Sequence, residues 1–324
     1  MFYPDLESLQ FVTHRNGRYP IDHLSPGGAF DFIPKQGTGE FHGALSASIT
    51  MPGMSSGSTP SRLQEEGLFE RTRLNSFQNY SAQFSGPVFR EKLLVFASLS
   101  QLSLNRDVTE FGPDDKGSVS SALVNLSYQF GRSTLHVFWT GQAVHHPTAG
   151  AARDVPLSDT LDRKNLYNVF QVIWNTRFRP DHHFELGAAF NHGHFNSQFQ
   201  DGVSEPHGLE VFRNIPSGAA ASAGQDDRTT VILQGKGQAL FGRPSRLRHR
   251  VDYGLSLRSA VSTSKEEILD NIHLHYLDGK PFEIVRFNTP VRHREKSFDA
   301  HLFIEDHITF RNLASFSFGL HLVS

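Results

Sequence analysis

The chain has 324 residues, 20% of them charged, a formal net charge of -2, and neither a cysteine nor a run of about 18 apolar residues. This excludes disulfide scaffolds, cysteine-zinc sites, thiol nucleophiles and a membrane-spanning helix, and it argues against a nucleic-acid binder held by bulk charge. With 28 Phe, 7 Tyr and 2 Trp, the chain is also too aromatic to be disordered.

In chain order, the N-terminal Met1-Phe2-Tyr3-Pro4-Asp5-Leu6-Glu7 has neither a basic nor an apolar region, so no signal peptide is read there. Period-two alternation then predicts strands at roughly 39–50, 76–89, 93–105, 118–130, 133–144, 165–178, 184–198, 229–241, 247–261, 296–310 and 313–323. Long and short connections take turns between them. The long ones are 51–75, 106–117, 145–164, 199–228 and 262–295, rich in Gly, Pro, Ser and Asp, as in Ser55-Ser56-Gly57-Ser58-Thr59-Pro60. The short ones are Arg90-Glu91-Lys92, Gly131-Arg132, Arg179-Pro180-Asp181-His182-His183, Gly242-Arg243-Pro244-Ser245-Arg246 and Arg311-Asn312. Within 262–295, Glu283-Ile284-Val285-Arg286-Phe287 suggests a local hairpin. An up-and-down transmembrane barrel sorts its loops by length in this way, because one rim faces the periplasm and the other the exterior. A soluble sandwich has no reason to do so.

Charge is segregated along the same strands. One face of 118–130 reads Ala122, Val124, Leu126, Tyr128, Phe130, and one face of 247–261 carries Leu247, His249, Val251, Tyr253, Leu255, Leu257. The matching faces of 133–143 and 166–178 also lack Asp, Glu, Lys and Arg, whereas Arg246, Arg248, Arg250, Asp252 and Arg258 lie on the opposite side of 247–261. A charge facing lipid at mid-depth costs about 2–4 kcal/mol, so such exclusion marks a lipid-facing side. A soluble β-rich binding module would alternate too, with its apolar side inward. Soluble strands peak near 5–6 residues, however, and alternation over roughly 11–15 residues suits a tilted membrane strand. The aromatics Tyr128, Phe130, Phe178, Phe241 and Phe310 stand where an interfacial girdle would, although aromatics favour strands generally. Eleven strands is an odd number, and an open edge in lipid is not viable, so the barrel is expected to be incomplete and the chain a fragment.

Two segments carry a family resemblance. Gly27-Gly28-Ala29-Phe30-Asp31-Phe32-Ile33-Pro34-Lys35-Gln36-Gly37-Thr38-Gly39-Glu40-Phe41-His42-Gly43 resembles the junction of plug and first barrel strand in the Oar-like branch of the TonB-dependent receptors. Gln83-Phe84-Ser85-Gly86-Pro87-Val88-Phe89-Arg90-Glu91-Lys92-Leu93-Leu94-Val95-Phe96 resembles that branch's second and third barrel strands. Weaker likeness lies in Phe303-Ile304-Glu305-Asp306-His307-Ile308-Thr309-Phe310. Pro34 and Ser85 depart from the family pattern. Gly37 and Gly39 would allow a sharp exit from the plug, and Pro87, lacking an N–H, should sit near a strand end or bulge.

The resemblance implies a plugged barrel of about 22 strands in the bacterial outer membrane that takes up bulky nutrients. Residues 1–37 would then be the C-terminal tail of the plug domain, and 38–324 the N-terminal half of the barrel. Its partners would be outer-membrane lipid, an extracellular nutrient such as a siderophore or glycan, and TonB through plug sequence that this chain lacks, with no nucleic acid involved. The five long loops would form the extracellular entrance, and the Arg-, Asp- and His-rich face would line the lumen.

Eighteen histidines raise the question of metal. His192 and His194 form the likeliest pair, and His273 and His275 a second, each two apart on one strand face; His145-His146 and His182-His183 would point to opposite faces. None has the spacing of a zinc motif, and histidines decorating rims and loops is the plainer reading, so no metal site is assigned. Asp299 and Glu305 should share the lumen face with His301 and His307, in a polar network that is more often structural than catalytic. The Arg246, Arg248, His249, Arg250 cluster reads as a periplasmic-rim feature. With no nucleophile elbow, dinucleotide fingerprint or phosphate loop, no catalytic residue and no cofactor are expected.

Overall fold

The computed structural model describes residues 5–15, 29–54, 62, 65–66, 73–89, 92–243, 247–311 and 313–324. Pro60 and its neighbours in the first long loop, the Gly27-Gly28 start of the junction motif, Arg90-Glu91, Arg246 and Asn312 lie outside these residues.

The strands in chain order are β1 (Leu9–Arg15), β2 (Ala29–Pro34), β3 (His42–Thr50), β4 (Arg73–Phe89), β5 (Leu93–Asp107), β6 (Asp115–Phe130), β7 (Ser133–Ala149), β8 (Leu161–Arg179), β9 (His182–Phe199), β10 (His207–Glu210), β11 (Ile215–Ser217), β12 (Ala223–Arg243), β13 (Leu247–Glu267), β14 (Ile272–Leu277), β15 (Lys280–Arg286), β16 (Val291–Phe310) and β17 (Ala314–Val323). Eleven of them form one antiparallel sheet in the order β17-β16-β13-β12-β9-β8-β7-β6-β5-β4-β3. Each therefore pairs with its neighbour in the up-and-down sequence, and the sheet does not close on itself. These are the eleven strands read from alternation. They run further than expected at the long-loop ends: β12 starts at Ala223, β13 continues to Glu267 and β16 starts at Val291. Pro87 sits beside a register irregularity of β4 against β5, the kind of position at which a residue without an N–H is tolerated in a sheet.

The sheet has two unlike faces, and the register assigns every side chain to one of them. Paired residues Val124↔Trp139, Trp139↔Phe170, Phe170↔Phe190, Phe190↔Val231 and Tyr253↔Ile304 share the outward side. That side is apolar and open: Leu45 is 87% exposed, Leu99 64%, Phe178 61% and Phe298 63%. The buried apolar residues among those described are few, half of them alanines, with Val108, Phe111, Ala219 and Ala220 in the long loops rather than beneath the sheet. A soluble sandwich would have turned Leu, Phe and Trp inward to a shared core. Here the apolar area has no protein to bury it, and hydrocarbon is the solvent that suits it.

Toward the short-turn end, a carboxylate interrupts the apolar face of β16. Asp306 lies on the outward face of β16, near the short-turn end, where His249 Nδ1 stands 2.8 Å from its Oδ2. A pair placed toward the interface costs far less than a lone charge at mid-depth.

Candidate functional site

The opposite face lines the lumen, and the N-terminal segment packs against it. β1 and β2 form a separate two-stranded sheet. The segment before β1 reaches the wall through Glu7, whose carboxylate accepts from Ser46 Oγ at 2.8 Å and from Ser81 Oγ, while its carbonyl accepts from Gln83 Nε2 at 2.9 Å. Asp5 accepts from Ser98 Oγ at 3.3 Å. After β2, Lys35 Nζ donates to Gln83 Oε1 at 3.0 Å, the Lys35 carbonyl accepts from Asn125 Nδ2 at 3.0 Å, and the Thr38 N–H donates to Ser85 Oγ at 3.0 Å. Short Ser and Asn side chains on β3–β6 thus supply the polar seats that an inserted segment needs. Gly37 passes so close to β5 that a Cβ there would lie 2.5 Å from the Val95 amide nitrogen.

The long connections at the other end are tied to one another. Arg153 clasps Glu110 with Nε at 3.0 Å and Nη2 at 2.8 Å, joining the β5–β6 loop to the β7–β8 loop. Beneath them Asp115, 2% exposed, pairs with Arg106 and accepts from Thr148 Oγ1 at 2.7 Å, with His146 Nε2 also at 2.7 Å. The β7–β8 loop meets the β9–β12 loop through Asp159 and His207, 3.0 Å apart with each side chain only 12% exposed. The β9–β12 and β13–β16 loops then share a four-stranded sheet, β11-β10-β14-β15, in which β10 runs parallel to β14. Glu210 closes the β14–β15 turn by accepting from the Asp278 and Gly279 N–H groups at 3.1 and 2.9 Å. Four loops are therefore tied together by polar contacts and strand pairing into one canopy at the long-loop end of the sheet.

Charge in the canopy follows from these contacts. The hydrogen bond that His207 donates to Asp159 raises the imidazole above its ordinary value against the opposing effect of burial, with a further contribution from the Ala219 carbonyl. Burial lowers His273, whose ring stacks edgewise on His207 at 4.8 Å. Arg153 holds the Glu110 carboxyl below the usual range.

The histidines singled out by spacing do not converge. His192 and His194 lie on the outward face of β9, with Nδ1 atoms 3.1 Å from Thr229 Oγ1 and 2.6 Å from Asp227 Oδ1 respectively. His273 Nε2 lies 2.8 Å from the Ala221 carbonyl, and His275 Nδ1 lies 2.8 Å from Glu283. His145 and His146 part as expected, to Asp162 and Asp115. His182 sits 3.1 Å from Asp181. No group of three or more metal-ligating side chains occurs among the described residues. His301, 1% exposed, packs its ring against Phe303 and His321 on the lumen face, and His307 contacts Asp252 at 3.4 Å and Glu305 at 3.3 Å. Arg250 pairs with Asp252 at 3.0 Å on that face, while His249 turns outward to Asp306. Glu7, Asp159, His207 and Glu210 carry the N-terminal and canopy contacts and stand in no motif. The β14–β15 hairpin does appear where 283–287 suggested one.

No family model matches the chain. The TonB-dependent transporter Oar of Myxococcus xanthus is 30% identical over 121 residues, which cover 34% of this chain and 11% of that protein. Among solved structures, the outer membrane transporter YddB from Escherichia coli covers the whole chain with a TM-score of 0.67 and 12% identity, and 44% of its own length is matched. The siderophore receptor PirA from Acinetobacter baumannii covers 98% of the chain with a TM-score of 0.66 and 13% identity, and 43% of it is matched. The chain thus spans about a tenth of the curated relative and under half of either solved protein. With its apolar outer side and its polar inner wall, the chain has the fold of part of the β-barrel of the outer-membrane transporters and receptors to which it is similar.

Proposed function

We propose that the chain serves active uptake of a bulky nutrient, with residues 1–37 as the tail of a plug and 38–324 as the first half of the barrel around it. TonB would act on plug sequence outside this chain. The canopy carries the reading: four loops bound into one polar roof over a lumen whose wall already holds an inserted segment. A ligand as large as a siderophore or a glycan would meet the canopy first, and its passage would require the segment seated on Ser46, Ser81 and Ser85 to give way. No bond is made or broken in this scheme, so no residue is given a catalytic role.

The experiment is uptake by cells that carry or lack the gene. Deletion should abolish uptake of one bulky nutrient, and collapsing the inner-membrane proton gradient should abolish it equally in the parent. Uptake that survives the collapse would identify a passive pore and sink the proposal.

A further inference from the structure

The outward face changes character at one level. Along β16 it is apolar from Ile304 through Leu302 and Ala300 to Phe298, and the next three outward residues are Lys296, Arg294 and Arg292. The register sets Arg292 opposite Lys265, Arg294 opposite Thr263 and Lys296 opposite Val261, so a fourth cation from β13 joins the same patch. Arg292, Arg294 and Lys296 are exposed and meet no carboxylate among the described residues; Lys265 contacts Glu267 at 2.5 Å. Neighbouring strands differ at this level: on β8 Lys164 pairs with Asp162 at 2.7 Å, and on β12 Asp227 meets His194 at 2.6 Å. Among the described residues, three cations without a carboxylate partner therefore cluster on β16, directly above lipid-facing Phe298.

We propose that Arg292, Arg294, Lys296 and Lys265 bind phosphate-bearing lipid headgroups of the leaflet on the long-loop side, with the acyl chains lying on Phe298, Leu302 and Leu257. Guanidinium groups match phosphate oxygens two at a time. Cations at the end of an apolar belt hold their charge at headgroup depth while their stems stay in contact with hydrocarbon. The site is continuous with the lipid-facing surface and faces away from the lumen, so its occupant comes from the membrane rather than from the transport path. The inference rests on the outer-membrane placement of the sheet, and not on uptake.

The test is native mass spectrometry of the protein in detergent, offered phosphatidic acid, which carries a phosphomonoester, and phosphatidylcholine. The protein should retain phosphatidic acid in preference. R292Q/R294Q/K296Q should lose that preference on the order of a hundredfold, since each surface cation contributes several-fold to anionic-lipid binding. K280Q, which removes an exposed cation from the canopy hairpin, should leave it unchanged. A preference that survives the triple substitution overturns the proposal, and so does displacement of the lipid by equimolar glycerol phosphate, which would mean a site for free phosphate. Should the triple variant not fold, equal retention of the two lipids by the parent overturns it alone. Retention of neither lipid would overturn the proposal too, while the membrane placement stands or falls separately on whether the protein needs detergent to stay dispersed.

Discussion

At the residue scale, single contacts have separable consequences. His249 is the partner of a carboxylate that faces hydrocarbon. H249A should lower unfolding stability in detergent by about 1–3 kcal/mol, because Asp306 is left uncompensated. H249L/D306L should restore it, since an apolar pair can replace a buried ionic one at little cost. Guanidinium or thermal unfolding in micelles reads both, and an unchanged H249A would show that the pair contributes nothing. Two glycines give a contrast. A Cβ at Gly37 meets the β5 backbone, whereas one at Gly237 meets the Tyr253 ring, 2.2 Å from its Cζ. A ring can swing aside and a strand cannot, so G37A should cost about 1–3 kcal/mol and G237A clearly less, measured in the same unfolding series. His207 supplies a pH dependence. Its folded value is raised by Asp159, so the contact contributes fully below the ordinary value of about 6.5 and is lost as pH rises through the higher folded one. Amide protection factors of residues 200–222, corrected for the base catalysis of exchange itself, should therefore fall on alkaline titration of the wild type, and H207Q should show low protection throughout.

At the element scale, the sheet was legible in the sequence and the canopy was not. Alternation marks a strand only where its two faces meet different solvents. Across 118–130 or 247–261 one side meets lipid and the other the lumen, and the expected strands are the observed ones. At 223–228, Asp226, Asp227 and Arg228 are polar on both sides because neither side meets hydrocarbon, so the ladder continues where the pattern stops. β10 and β11, of four and three residues, are too short to show a period. The contacts that hold the canopy, such as Asp159 with His207 across 48 residues, leave no local signature. The β10–β14 pairing is testable because the chain has no cysteine of its own. Leu209 and His275 are register partners, so L209C/H275C should form a disulfide under mild oxidation. Uptake should fall on oxidation and recover on reduction; full transport by the oxidised protein would show that the two loops need not separate.

At the scale of the whole molecule, an apolar surface as extensive as that bearing Leu45, Leu99, Phe298 and Leu320 is incompatible with life as a monomer in water. The chain should aggregate in buffer and remain dispersed and β-rich in detergent, as light scattering and circular dichroism would record. A folded monomer without detergent would contradict the lipid-facing assignment of these strands.

The parallel union of β10 with β14 also constrains how such a roof can diversify. Each loop supplies half of a ladder whose other half is encoded some 66 positions away, so a deletion that shortens one leaves the other without hydrogen-bonding partners. Changes of ligand preference should therefore be gained by substitution at exposed tips such as Phe212 and Phe282, with the lengths of the two segments altering together or not at all.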